Sequence, residues 1–141
     1  MWDGSSIWGS GASAAAARKT LQKPGNTGTG STPSGDVRKK GIEAILDEFQ
    51  PADKVVLCFD IDAMDAVYAP ATGSPMFGGF NYDDAVDILE AIANHTELVG
   101  MVLTEVAPPF DDVGGTTGYL AARLISDMLG FATKAREKKQ E

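Results

Sequence analysis

Three aspartates follow a short apolar run in the middle of the chain. The run is Val55 to Phe59, and Asp60, Asp62 and Asp65 come directly after it. A run this short, rich in β-branched and aromatic residues, predicts a central strand buried on both faces. Because strand side chains alternate, Asp60 and Asp62 are expected on one face, roughly 7 Å apart, where they can share a cation. Asp65 would orient a metal ligand or close the following loop.

A fourth acid, Glu105, follows a second apolar run, Leu98 to Leu103. Ligands of open parallel α/β sheets bind beyond the carboxyl ends of the strands. We therefore expect Glu105 to face the same pocket as Asp60. The spacing alone is weakly specific, since strand-end aspartates often cap turns and D-x-D also opens dehalogenase-type phosphatases. Those phosphatases carry Thr or Val where this chain has Met64, which disfavours that alternative.

Three amphipathic helices are predicted around the two strands. The first two begin at the capping residues Asp36 and Asn81, the third begins at Thr116 or Thr117, and each carries apolar residues at helical spacing. The predicted buried faces are Ile42, Ile45, Leu46 and Phe49; then Ala85, Ile88, Leu89 and Ile92; then Leu120, Leu124, Ile125, Met128 and Leu129. A Gly/Pro-rich loop, Ala66 to Phe80, is long enough to wrap over a strand end.

The alternation of helices and strands predicts a βαβ unit with parallel strands. Two strands are fewer than a stable parallel sheet needs, so the fold class is a partial three-layer α/β/α domain. Residues 36–141 are expected to form this domain. Residues 1–35, rich in Gly, Ser, Thr and Ala, are expected to be a disordered or linker-like tail.

Composition excludes several classes of partner. The chain has 141 residues and a net charge of −8, and residues 36–141 hold nineteen acidic against nine basic residues. This balance argues against nucleic acid or an anionic membrane and favours metal ions or cationic small molecules. Cys58, the one cysteine, lies within the apolar run and is expected to be structural. With no membrane-spanning or leader pattern, we expect a reducing, cytoplasmic location, with the mitochondrion as the alternative.

The sequence around these acids resembles the C-terminal half of the arginase/agmatinase ureohydrolase family. The segments are F-D-I-D-A-M-D, then Y-A-P-A-T-G-S-P and G-G-F, then T-E-V-A-P-P-F-D and L-A-A-R-L-I, in family order between Lys54 and Phe131. Several separated motifs in one order are a specific sign. E-V-A-P-P-F-D is closer to the agmatinase branch than to arginases.

The resemblance implies manganese-dependent hydrolysis of a guanidino compound to urea and an amine. It assigns Asp60 and Asp62 to a pair of Mn²⁺ ions and Glu105 to the substrate guanidinium. Thr72, Gly73, Gly78 and Gly79 would shape the loop beside the site.

The chain lacks two segments that are part of the family pattern. The G-G-D-H and D-A-H-x-D segments that supply the other metal ligands do not occur, and the one histidine, His95, is predicted to be a surface or capping residue. We therefore expect a truncated chain, inactive alone, that carries no complete catalytic set. It would form homo-oligomers or associate with full-length homologous subunits. The alternative is a non-catalytic remnant acting as an interaction or regulatory subunit.

Overall fold

The computed structural model describes residues 17–23, 26–32, 41–42, 46 and 54–140. Four strands form one sheet in the order β2-β1-β3-β4. The strands are β1 Ala17–Lys23, β2 Asn26–Thr32, β3 Lys54–Asp60 and β4 Glu97–Thr104. Two α-helices follow, α1 Tyr82–His95 and α2 Thr116–Lys138, together with the 3-10 helices Ile61–Ala63 and Pro108–Phe110.

Strands β3 and β4 pair in parallel, and α1 lies between them in the chain. Their register places Asp60 opposite Thr104, the residue before Glu105. A parallel pair needs a long crossover, which α1 and its flanking loops provide. The prediction of a βαβ unit with parallel strands is confirmed.

Helix α1 begins at the predicted cap. Asn81 Oδ1 accepts a hydrogen bond from Asp84 N at 2.8 Å, and Asp84 Oδ2 accepts one from Asn81 N at 3.2 Å. This reciprocal arrangement satisfies two backbone donors at the helix start. The predicted face, Ala85, Ile88, Leu89 and Ile92, is buried.

Helix α2 begins at Thr116 as predicted, but its buried face differs in part from the predicted one. The buried residues are Thr117, Ala121, Leu124, Met128 and Ala135. Leu120 is half-buried, whereas Ile125 and Leu129 are exposed, so their predicted burial is wrong. At 3.6 residues per turn these two residues lie beside the stripe defined by Leu124 and Met128.

Two cations at the end of α2 attach it to the start of β4. Arg136 Nη2 donates to the carbonyl oxygen of Leu98 at 2.9 Å, and Lys139 Nζ donates to that of Thr96 at 3.0 Å. Basic residues at a helix C-terminus are also favoured by the helix dipole.

One face of the β3–β4 pair packs against both helices and the other does not. Val55, Leu57 and Phe59 point into the shared core. On the opposite face Val56 is 38% exposed and Val102 is 50% exposed, so the prediction that β3 is buried on both faces is wrong. Both helices lie on the same side, so one helical layer of the partial α/β/α fold lies within the described residues.

The hairpin of β1 and β2 differs from the expected linker. The two strands pair antiparallel, and β1 pairs antiparallel with β3 through Arg18 and Cys58. A Pro-Gly dipeptide separates the strands in the sequence, and threonine, a residue type that favours strands, occurs once in β1 and three times in β2. Their low apolar content is what suggested a linker. The domain boundary at residue 35 stays a prediction.

The predicted helix beginning at Asp36 lies mostly outside the described residues. Within it, Leu46 N donates to the carbonyl oxygen of Ile42 at 3.1 Å, and both side chains pack against the core. Ile45 and Phe49 are not among the residues described. In the part of the chain that the structure covers, no helix is both long and apolar enough to cross a membrane.

Candidate functional site

The chain leaves the sheet at Asp60 and turns at once into the 3-10 helix Ile61–Ala63. Asp60 Oδ1 caps this turn by accepting a hydrogen bond from Asp62 N at 3.0 Å. Asp62 therefore lies on the turn, and the expected placement of both aspartates on successive pleats of one strand is wrong. Both still lie at the carboxyl end of β3, with Asp60 capping the turn that carries Asp62.

Asp62 is the most perturbed acid of this region. Its pKa is raised from 3.8 to about 6, first by burial and then by the negative charges of Asp60 and Glu105, while a hydrogen bond from the backbone of Ser74 lowers it. Its Oδ1 is buried and has no hydrogen-bond partner among the described residues. A crowded carboxylate with an unsatisfied oxygen is stabilised by a proton or by a cation.

Glu105 lies at the same sheet edge in an unfavourable backbone conformation. Its φ is +65°, the single positive value for a residue other than glycine in the described chain. Left-handed backbone is costly for residues with a Cβ, and such residues concentrate at functional sites. Asp60 and Glu105 lie at the same edge of the sheet, at the carboxyl ends of two parallel strands. That they face one pocket stays a prediction.

Asp65 closes the loop that follows the turn. Its Oδ1 accepts from Val67 N at 2.9 Å and its Oδ2 accepts from Gly78 N at 2.8 Å. The backbone of Asp65 also donates to the carbonyl oxygen of Phe80 at 2.9 Å. Of the two roles considered for Asp65, these contacts support loop closure.

The four residues that were predicted to shape the loop differ in their surroundings. A Cβ on Gly79 would lie 2.4 Å from Met64 C, a distance that real Cβ atoms do not show, and Gly78 has a φ of +86°. A Cβ on Gly73 would lie 3.8 Å from Glu105 Oε2, so Gly73 borders the acids. Thr72 is buried, pairs with Val106 through a β-bridge, and its Oγ1 has no partner among the described residues.

The acids fit part of a metal site. Carboxylate oxygens suit hard dications, and Asp62 Oδ1 is an acceptor that the described residues leave unsatisfied. No group of three potential metal ligands occurs in the described part of the chain. Asp60 and Asp62 can therefore contribute to a coordination shell but cannot complete one.

Sequence reasoning missed two features of this region. The contribution of Ser74 to Asp62 comes from its backbone, which carries no sequence signal. A polar cluster of Tyr82, Arg123 and Asp127 joins α1 to α2. In the sequence, the i, i+4 spacing of Arg123 and Asp127 was the available sign of it.

Comparison with known proteins identifies one family. A model of the arginase family matches residues 6–130. The chain is 37% identical over 93 residues to a guanidinobutyrase from Pseudomonas aeruginosa, covering 64% of this chain and 28% of that protein. It is 34% identical over 99 residues to an agmatinase from an Enterobacter species, covering 68% of this chain and 32% of that protein.

Solved structures show the same fold. A hypothetical agmatinase from Burkholderia thailandensis superposes with a TM-score of 0.63 at 29% identity, covering 77% of this chain and 34% of that one. Proclavaminate amidino hydrolase from Streptomyces clavuligerus also gives 0.63, at 27% identity, covering 72% of this chain and 34% of that one. The chain spans about a third of the length of the relatives it matches.

Proposed function

Because the chain belongs to the arginase family, we propose that it is the C-terminal portion of a hydrolase that cleaves guanidino C–N bonds and releases urea and an amine. The observation that carries this proposal is the acidic edge. Asp60 ends β3, Asp62 lies on the turn that follows it, and Glu105 follows the parallel strand β4. The charges of Asp60 and Glu105 both act on Asp62. We call these three residues the acid cluster.

Asp60 and Asp62 are the proposed manganese ligands. Both offer carboxylate oxygens, and Asp62 has one that is buried without a partner in the described chain. When bound, the metal supplies Lewis-acid activation of water at neutral pH. The hydrogen bond from Asp62 N to Asp60 Oδ1 orients the Asp60 carboxylate against the turn that carries Asp62.

Glu105 is the proposed substrate-binding residue. A carboxylate accepts two parallel hydrogen bonds from a planar guanidinium, which gives both charge neutralisation and orientation. A Cβ on Gly73 would lie 3.8 Å from Glu105 Oε2, so the glycine leaves room for a ligand beside this carboxylate. Thr72, Gly73, Gly78 and Gly79 hold the loop that borders this position.

Metal binding is tested by calorimetric titration of the full chain with Mn²⁺. We expect weak binding, because two carboxylates fall short of the six or so ligands of an octahedral dication. Asp60→Asn should remove the signal, whereas Asp87→Asn, which removes an equal charge from an exposed site on α1, should leave it unchanged. Binding that survives Asp60→Asn contradicts the ligand assignment.

Catalysis is tested in a chimera, because the chain spans a third of its relatives. The matching segment of the Pseudomonas aeruginosa guanidinobutyrase is replaced by residues 54–131 of this chain, and urea release is measured with Mn²⁺ from agmatine, guanidinobutyrate and guanidinopropionate. We expect turnover of at least one substrate. Glu105→Gln in the chimera should reduce turnover while leaving metal content intact. A folded chimera that holds metal and releases no urea refutes the proposal.

A second candidate is a non-catalytic subunit that associates with homologous chains. Two observations favour it: the described residues hold no group of three metal ligands, and one face of β3 and β4 is exposed. Co-expression of the chain with a full-length relative, followed by size-exclusion chromatography and activity measurement, tests it. A stable complex with altered activity, combined with an inactive chimera, supports this candidate over the first.

A further inference from the structure

A groove of about 520 Å³ lies between the loop after β3 and the starts of α1 and α2. Six of the residues that line it are Val67, Tyr68, Tyr82, Tyr119, Leu120 and Arg123. We call it the tyrosine groove. It shares no residue with the acid cluster, so the proposed hydrolysis does not account for it.

The guanidinium of Arg123 is held in place at this groove. Its Nε lies 3.1 Å from both the Tyr82 hydroxyl and Asp127 Oδ2, and the same hydroxyl donates to Asp127 Oδ2 at 2.6 Å. Both hydrogen bonds of Arg123 use Nε, and neither Nη atom bonds to any residue that the structure describes. A guanidinium fixed through Nε and unbonded at its outer edge is preorganised for an acceptor.

The walls of the tyrosine groove are apolar and aromatic. Val67 and Leu120 contribute aliphatic surface, and Tyr119, which is 73% exposed, contributes a ring. Exposed rings of this kind pair an apolar body with a polar tip and are common at binding sites. The volume lies within the range of small-ligand pockets, roughly 300 to 1,000 Å³.

We propose that the tyrosine groove binds a small monocarboxylate with an aromatic or aliphatic body. The carboxylate pairs with the outer edge of the Arg123 guanidinium, and the body of the ligand packs on Tyr68, Tyr119 and Leu120. Carboxylate and guanidinium geometries match in a bidentate pair. Asp127 lies beside Arg123 and the chain carries a net charge of −8, so a single cation favours a monoanion over a phosphate dianion.

The test uses 3-phenylpropionate as the probe, with 3-phenylpropanamide and 3-phenylpropylamine as its neutral and cationic counterparts. Binding to the full chain is followed by NMR titration of backbone amides without added metal. We expect saturable binding of the carboxylate with a dissociation constant at or below the low millimolar range, with the shifted amides in residues 66–68 and 116–123. The amide and the amine should bind at least tenfold more weakly.

Variants locate the site. Arg123→Gln should weaken carboxylate binding at least tenfold, and Tyr82→Phe, which removes the hydroxyl that orients Arg123, should weaken it by a smaller factor. Lys134→Gln removes the same charge from an exposed position on α2 outside the groove and should have no effect. Equal binding of the three probes, equal loss in Lys134→Gln, or no carboxylate binding at 10 mM overturns the proposal.

Discussion

Replacing Asp62 by asparagine should stabilise the metal-free chain at neutral pH. The pKa of Asp62 is raised to about 6 by burial and by the charges of Asp60 and Glu105. The folded chain therefore binds the Asp62 proton more tightly than the unfolded chain does. As pH rises from about 4 to about 6, the unfolded chain releases this proton first and the free energy of unfolding falls. Above that window the full penalty of the ionised form remains.

The magnitude follows from the shift. A shift from 3.8 to about 6 corresponds to an upper limit of about 3 kcal/mol. Asp62 is only half-buried, so solvent screening reduces the expected gain of Asp62→Asn to the order of 1 kcal/mol near pH 7.5. Near pH 3.5, where the carboxyl is mostly protonated in both states, the variant and the original chain should be nearly equal in stability.

Urea denaturation in EDTA at pH 3.5, 5, 6 and 7.5 measures this difference, with Asp87→Asn as the control for loss of one negative charge. Saturating Mn²⁺ should then reverse the order, because a bound cation stabilises the original carboxylate and binds the amide weakly. An Asp62→Asn chain that is no more stable than the original at pH 7.5 would refute the account of Asp62 as a crowded acid.

Three further predictions concern the frame around the acid cluster. Gly79→Ala should destabilise the chain by about 2 to 4 kcal/mol in denaturant titration, because the new Cβ would overlap the backbone at Met64. Gly130→Ala is the control: it has open space around it and should stabilise α2 by up to about 1 kcal/mol. Glu105→Gly should raise the melting temperature, because glycine adopts a positive φ without strain and the free energy of unfolding should rise by about 1 kcal/mol. Glu105→Ala should not show this gain, and equal effects of the two variants would contradict the assigned strain. The Asp111 carboxylate accepts hydrogen bonds from Thr117 N at 3.0 Å and Gly118 N at 2.9 Å, in the first turn of α2. Asp111→Asn should therefore speed amide hydrogen exchange at both residues; unchanged exchange would show that these bonds do not protect the start of α2.

Much of the scaffold was predictable because local chemistry and global fold agree there. The cap at Asn81 and the apolar stripe after it define α1 without reference to any other part of the chain. The shared edge of Asp60 and Glu105 follows from parallel pairing alone. Features that depend on one helix or one strand pair can be predicted from the sequence of those elements.

The remaining features depend on contacts between distant or weakly patterned segments. The turn at Asp62 is capped by a side-chain hydrogen bond of Asp60, which competes with continuation of the strand. The contact of Tyr82 with Asp127 joins residues 45 positions apart. The pairing of β1 with β2 and β3 involves segments with little apolar content. Periodicity reports none of these.

In the loop fixed by Asp65, the residues that stabilise the fold differ from the residues that border the acid cluster. Its anchors are the Asp65 carboxylate, the Ala71 N–H, which donates to Thr117 Oγ1 at 3.0 Å, and the bridge from Thr72 to Val106. Three exposed residues, 73–75, lie between Thr72 and Met76, and the first of them, Gly73, borders Glu105. Any residue except proline at position 74 retains the N–H that serves Asp62. Exchange of this tripeptide can therefore alter which small molecules reach the acids while the anchors, and the fold they stabilise, are inherited unchanged.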